Sequence, residues 1–467
     1  MRVGSARRLW FSAVAASILM TAAVVPARAE ASFGSRPNAF APALAGHQLW
    51  VRTYPQRANV AGGTSAASGV AFSPDAQRVY VTGSSQLATG MESATVAYRA
   101  DGGKVWTARY RNAKAIGLGT VAVAVSPDGG RVFVSGWQRL DVNTVRLLAI
   151  AYDSATGAQL WRRIYHGPND NYDTASSVVV SPDGSRVVVA GDSAPNGTYD
   201  SLVIAFDATT GSTDWIGHGA ALHASDLAMS PDGSRVFVAG ENSDGNGATT
   251  ALDSATGIPQ WTTVTAVNLG YVISRRLVVS SDGAHLFMTG VEQSSGQSMD
   301  FITAAFDVAT GSQVWATAFD SPTHRDDSAS LLAVAPDGAT VYVSGSSGRQ
   351  FVTVAYDATT GGQRWSRAYN SHEKGTDTAL GIAVDADAVF VTGASPSAIS
   401  NDAVTVAYDP ATGMPRWVSR YDGAAGGADQ GSAVVADPTG HRLFVVGSTT
   451  PVSGGTEFLT LAYATAS

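Results

Sequence analysis

A tryptophan returns every 46 to 56 residues along this chain, at Trp50, Trp106, Trp161, Trp215, Trp261, Trp315, Trp365 and Trp417. Six of the eight end one phrase, Ala-x-Asp-x-x-Thr-Gly-x-x-x-Trp, as in AYDSATGAQLW (Ala151 to Trp161) and AYDATTGGQRW (Ala355 to Trp365). A period near fifty residues with turn residues at fixed offsets belongs to a stacked or radial repeat protein, whose units bury their apolar faces only against one another. The repeats therefore report the scaffold, and function has to be sought in a site built upon it.

Each unit reads as four short strands. In one of them, the apolar run Ser177 to Val180 meets the turn Ser181-Pro182-Asp183-Gly184, and a second run follows from Arg186 to Gly191. A Pro-Asp-Gly turn between two such runs closes a hairpin. Ser201 to Phe206 form a third strand, Asp207 to Gly211 a second tight turn, and the Trp215 segment a fourth strand. Four antiparallel strands per unit make a propeller blade. The first-turn phrase recurs from Ser73, Ser126, Ser230, Ser280, Ala335, Asp385 and Asp437, which gives eight turns for eight tryptophans.

The two ends of the chain complement each other. Before the first turn lies only a fourth-strand phrase, Gly46 to Tyr54, and after the last turn the chain reaches only a third strand, Leu459 to Tyr463. The N-terminal strand is therefore expected to complete the last blade, which removes the free sheet edges that invite aggregation. The expected fold is all-β, an eight-bladed β-propeller with four antiparallel strands per blade, over residues 46–467 as a single domain.

The opening residues read as an address. Arg2, Arg7 and Arg8 precede an apolar run from Leu9 to Val25 that ends in Ala27-Arg28-Ala29, so residues 1–29 are expected to be a cleaved signal peptide and 30–45 a short lead-in. The Arg7-Arg8 pair also resembles a twin-arginine export signal. The expected location is secreted or extracytoplasmic, with no membrane span in the mature chain.

Fifty glycines, 15% charged residues and an abundance of Val, Ser, Thr and Ala suit short strands and tight turns. The absence of cysteine excludes a thiol nucleophile, a cysteine metal site, a disulfide framework and a CxxCH haem attachment. A net charge of -8 argues against nucleic acid as a partner, since neutralising phosphates needs clustered Lys and Arg. A monomer is expected.

The tryptophan phrase resembles the tryptophan-docking repeat of the PQQ-like propellers, the quinoprotein alcohol dehydrogenases, which also have eight blades. The second-strand phrases Tyr80-Val81-Thr82-Gly83, Val341 to Gly345 and Val389 to Gly393 are similar to those of YVTN-type propellers. The quinoprotein resemblance implies PQQ with calcium as a cofactor, held by a Glu, an Asn, an Asp base and an Arg, often under a ring of two adjacent disulfide-bonded cysteines. This chain has no cysteine, and no motif places the other ligands. No resident cofactor is expected, and a PQQ- and calcium-dependent dehydrogenase is the alternative.

Candidate site residues come from the loop face, where the long and variable connections emerge. Asp173, Asp327, Asp377 and Asp429 recur eight residues before the first turn, and Glu92, Asp200, Asp300, Asp402 and Glu457 recur five residues before the Ala of the tryptophan phrase. The first set reads either as an acidic ring on the loop face or as caps that bind backbone N–H groups. Trp137, read as lying in the loop after the second strand of the second blade, is a stacking floor for a planar ligand or a cover for its own blade.

Four residues before the first turn, the innermost strands carry Gly69, Ala122, Ser177, Asp226, Arg276, Leu331, Gly381 and Ala433. Asp226 and Arg276, in adjacent blades, are expected to face each other near the channel, with Arg275 beside them and His223 nearer the loop face. Such a pair either fastens two blades or prepares a polar site. The expected function is a non-catalytic binding or interaction module that takes a protein, glycan or small molecule on the loop face. A second alternative is a channel-mouth lyase or hydrolase, for which no Gly-x-Ser-x-Gly or His-Glu-x-x-His motif is found.

Overall fold

The computed structural model describes residues 45–54, 63–88, 90–167, 172–194, 199–219, 223–242, 244, 246–265, 272–293, 299–322 and 324–465. The signal-like segment 1–29 and most of the lead-in lie outside the described residues. The strands form eight four-stranded antiparallel sheets. Numbered along the chain, blades 1 to 7 begin at residues 65, 117, 177, 223, 272, 327 and 378, and blade 8 begins at 430. Within each blade the strands pair in sequence order, and the first strands of consecutive blades pack against one another until blade 8 meets blade 1. The result is an eight-bladed β-propeller.

Closure follows the complementarity of the chain ends. The strand Gln48–Tyr54 pairs antiparallel with Glu457–Ala464, with Gln48 opposite Tyr463 and Tyr54 opposite Phe458. It supplies the outermost strand of blade 8.

The two short turns of each blade are built by their own side chains. In the first, Ser126 Oγ donates to Asp128 Oδ1 at 2.5 Å, and the same oxygen accepts the Gly130 N–H at 2.8 Å. In the second, Asp153 Oδ1 accepts the Thr156 N–H at 2.8 Å and its hydroxyl at 2.7 Å. An acidic side chain that satisfies two or three local donors stabilises the turn over an extended chain.

The phrase ending in tryptophan joins each blade to the next. Seven indoles, from Trp50 to Trp365, donate Nε1–H to a carbonyl of the following blade at 2.9 to 3.1 Å, namely Ala100, Ser154, Ala208, Ser254, Val308, Ala358 and Pro410. The ring lies on the glycine of that blade's second turn. At Gly157, whose φ is +72°, a Cβ would stand 2.6 Å from the Trp106 ring. Only glycine combines that left-handed backbone with that close approach.

The glycine that ends the second-strand phrase has a different cause. The first strand bulges between Ala67 and Gly69 in blade 1 and between Ala329 and Leu331 in blade 6. A Cβ on Gly83 or Gly345 would collide with the carbonyl oxygens of Ala66 or Ser328 beside those bulges. An inserted residue pushes its backbone toward the neighbouring strand, and the glycine leaves room for it.

The apolar core is distributed around the ring. Each of eight buried clusters draws on two adjacent blades, such as Phe133 and Ile204 at the blade 2–3 seam or Phe287 and Tyr356 at the blade 5–6 seam. Stability is thus carried by contacts between neighbours, as in other repeat architectures. No helix among the described residues is long and apolar enough to cross a membrane.

Candidate functional site

The long connections, from second to third strand and from fourth strand to the next blade, emerge on the face opposite the two short turns. On that face Asp173, Asp327, Asp377 and Asp429 are 0 to 2% exposed. Each accepts the backbone N–H of the residue six positions earlier, from Gly167, Ser321, Ser371 and Gly423, at 2.6 to 2.9 Å. They fasten the incoming loop to the blade that follows, so the acidic ring offered to a partner is corrected to four buried loop clamps.

Three members of the second recurring set are matched with basic groups. Glu92 Oε2 meets Arg111 at 3.0 Å, Asp200 meets His218 Nδ1 at 2.9 Å, and Asp402 meets Arg420 at 3.1 Å. The carboxylate of Asp200 raises the His218 pKa above its ordinary value. Asp300 lies in a group with Asp320 and Asp327, one carboxylate oxygen of each within 4.8 Å of the others.

Asp226 and Arg276 come together at the blade 4–5 seam, 7% and 6% exposed. Burial pushes the Asp226 carboxyl up, while the Arg276 guanidinium and the backbone N–H groups of Leu277 and Leu227 pull it back. The Leu277 N–H reaches Asp226 Oδ2 at 3.0 Å, so the carboxylate spans the two inner strands. Arg275 shares the strand Val272–Val279 with Arg276, but its side chain lies outside the described residues. Removing one partner of a buried pair leaves an uncompensated charge. Arg276→Met is expected to cost about 3 kcal/mol in urea unfolding. Asp226→Ala/Arg276→Met is expected to recover most of that loss, and additive costs would show that the two side chains do not act as a pair.

Trp137 lies within the second strand of blade 2, Arg131–Arg139, paired with Gly119 and Leu147, and not in the loop beyond it. Its half-buried indole lies over Gly117 and Gly119 of the first strand of its own blade, and a Cβ on Gly119 would stand 2.8 Å from the ring. The strand runs past the apolar phrase that marks it in sequence, which is why the position reads as loop.

His223 opens the first strand of blade 4 and faces blade 3. Its Nδ1 is 3.3 Å from Asp192 Oδ2, and that carboxylate raises the imidazole pKa. Asp192 Oδ1 also accepts the Ala224 N–H at 2.8 Å, which fixes the carboxylate. The His223 ring lies 4.4 Å from that of Tyr199, which meets Tyr172 edge-on at 5.5 Å. Tyr199 is 38% exposed. Tyr172 and Tyr199 have no periodic signature in the sequence, because they sit where the loops vary, and Asp192 lies near the end of the strand Arg186–Ser193.

An eight-bladed ring whose blades are joined by indoles, with an aromatic and polar cluster on its loop face, defines a propeller scaffold with a candidate loop-face site. The chain belongs to the PQQ-like repeat family whose model is described as outer membrane protein assembly factor BamB, which matches residues 90–268, 147–419 and 354–454. No curated protein matches it. Among solved structures it is similar to the quinohemoprotein alcohol dehydrogenase from Comamonas testosteroni, with a TM-score of 0.57, 12% identity, and coverage of 90% of this chain and 77% of that one. The quinohemoprotein alcohol dehydrogenase ADHIIG from Pseudomonas putida HK5 gives a TM-score of 0.54 at 14% identity, over 83% of this chain and 72% of that one. The C-terminal WD40 domain of Sif2 gives 0.59 at 10% identity, over 90% and 98%. At such identities the likeness is one of fold.

The described residues do not make a cradle for PQQ. Of the eight inner-strand positions named above, only Asp226 and Arg276 are charged; both are buried, the Arg276 charge acts on Asp226, and Asp226 already holds the Leu277 N–H. The candidate stacking floor, Trp137, lies two blades away over its own glycines. A planar quinone with several carboxylates needs stacking and cationic groups converging on one space, and Trp137, Asp226 and Arg276 do not converge.

Proposed function

We propose that this chain is an exported, non-catalytic binding scaffold that takes a partner on the loop face at the blade 3–4 seam. The observation that carries this reading is the cluster of Tyr172, Tyr199, His223 and Asp192. It combines exposed aromatic surface with a charge-assisted polar group fixed from below. Aromatic rings with one polar edge are the side chains that dominate binding surfaces, since they bury large area at little conformational cost. Membership of a family described by an assembly factor supports an interaction role, and the signal-like residues 1–29 support export. A quinoprotein oxidation has less support, because Trp137 lies over its own blade's glycines, two blades from Asp226.

The test uses the biotinylated protein and its Tyr199→Ala, His223→Ala and Thr359→Ala variants, the last altered on the turn face. Each is cross-linked in an extracytoplasmic extract and applied to a glycan array. A partner bound by the wild type and by Thr359→Ala but lost at least tenfold by Tyr199→Ala and His223→Ala supports the reading. Equal capture by the wild type and all three variants, or alcohol oxidation after loading with PQQ and calcium, overturns it.

A further inference from the structure

The seam between blades 5 and 6 brings three carboxylates together from three separate segments. Asp300 lies on the third strand of blade 5, Met299–Asp307, and Asp320 follows the fourth strand, Gln313–Phe319. Asp327 opens the first strand of blade 6, Asp327–Val334. One carboxylate oxygen from each lies within 4.8 Å of the others. Asp300 and Asp327 are buried at 6% and 0% exposure, while Asp320 reaches solvent.

The blade 7–8 seam provides an internal reference, since Asp402, Asp422 and Asp429 occupy the same three positions. There Arg420, three residues after Trp417, binds Asp402. Asp429 uses both oxygens, with Oδ2 on the Gly423 N–H at 2.6 Å and Oδ1 on the Thr450 N–H at 3.2 Å. In blade 5 the residue three after Trp315 is Ala318, so no guanidinium reaches the seam from that position.

Asp327 also differs from its counterparts. Its Oδ2 accepts the Ser321 N–H at 2.7 Å, but its buried Oδ1 has no hydrogen-bond partner among the described residues. In blades 3 and 7 the equivalent Oδ1 takes a hydroxyl, from Ser193 at 2.6 Å or Ser395 at 2.5 Å. A buried carboxylate oxygen without a donor is costly, and a cation removes that cost. Glu292, paired with Asp300 across the sheet, adds a fourth carboxyl where blades 1, 3 and 7 have Ser85, Ser193 and Ser395.

We propose that Asp300, Asp320 and Asp327 bind a hard divalent cation of the calcium class at the blade 5–6 seam. Oxygens sharing one calcium, each at about 2.4 Å from it, lie no more than about 4.8 Å apart. An all-carboxylate set selects hard cations over zinc or copper, and the exposure of Asp320 leaves room for the waters that fill a calcium shell. His324 Nδ1, 2.5 Å from Asp320 Oδ2, orients that ligand from outside. The ion joins two blades from the loop face and is separate from the inner-ring position of Asp226 and Arg276.

The experiment treats the full chain with chelator, dialyses it, and titrates it with calcium, magnesium and manganese by calorimetry and thermal melting. The expected result is one calcium site per chain and a melting temperature about 3 °C or more higher at saturation. Asp320→Asn, an exposed change that leaves the core intact, should weaken calcium binding at least tenfold, and Asp422→Asn should leave it unchanged. The proposal is overturned if the wild type shows neither binding heat nor a melting shift with any of the three cations, or if Asp320→Asn binds calcium as the wild type does. Binding of magnesium or manganese without calcium overturns the assignment to the calcium class.

Discussion

Removing the segment 46–54 opens the ring. The loss strips blade 8 of its outermost strand and bares the backbone edge of Glu457–Ala464, a row of unpaired N–H and C=O groups. It also takes away Trp50, whose indole donates to Ala100 O, and Gly46, which lies under Trp417. The expected outcome is a protein that aggregates at concentrations where the intact chain is monodisperse, read by light scattering and size-exclusion chromatography. A monodisperse truncated protein with the melting temperature of the parent would show that this strand does not complete the last blade.

Trp365→Ala is expected to lower stability by about 4 to 5 kcal/mol, the upper range for truncating a buried aromatic. The side chain is 5% exposed, sits between the rings of Tyr342 and Tyr408, covers Gly413 and donates to Pro410 O at 2.9 Å. Its removal empties a volume that a backbone fixed by ring closure cannot collapse to fill, and leaves the Pro410 carbonyl with only the longer bond from Tyr342 Oη at 3.3 Å. Trp137→Ala is the control, since that half-buried indole stays within its own blade. Urea unfolding checks both, and a midpoint shift for Trp365→Ala no larger than that for Trp137→Ala would remove the inter-blade indole from its central place in stability.

The architecture was legible because it is periodic. A turn residue or an indole that returns every fifty residues must do the same job each time, and the Thr-Gly and Ser-Pro-Asp-Gly phrases name the backbone they need. Recurrence also located the clamp aspartates, yet it could not say whether Asp173 faces solvent or the N–H of Gly167, because both roles repeat equally well. The exceptions were only half visible. Asp226 and Arg276 stand out as charges among small and apolar residues, and their meeting follows once the inner strands are aligned. Tyr172 and Tyr199 lie in loops that vary in length, where alignment has no purchase. Asp320 gains meaning only from Asp300 and Asp327, which come from another strand and another blade. Trp137 was misplaced because hydrogen bonding carries its strand beyond the apolar residues that reveal it.

The pairing of Gln48 with Tyr463 also sets an order in time. Seven blades can assemble from local hairpins as the chain becomes available, each docking on the one before it. The eighth must wait until almost the whole chain is present, because its outermost strand is among the first segments made. The entropy of closing so long a loop grows only logarithmically, so the delay weighs on rate far more than on equilibrium. Until that strand is captured, an open stack of blades exposes an unpaired edge at its trailing end. The same seam contains Trp417, whose Nε1 has no carbonyl partner among the described residues, unlike the seven other indoles of the series. The ring of Trp417 lies against Gly46, so the joint between blades 7 and 8 is complete only once the first strand of the chain has found the last.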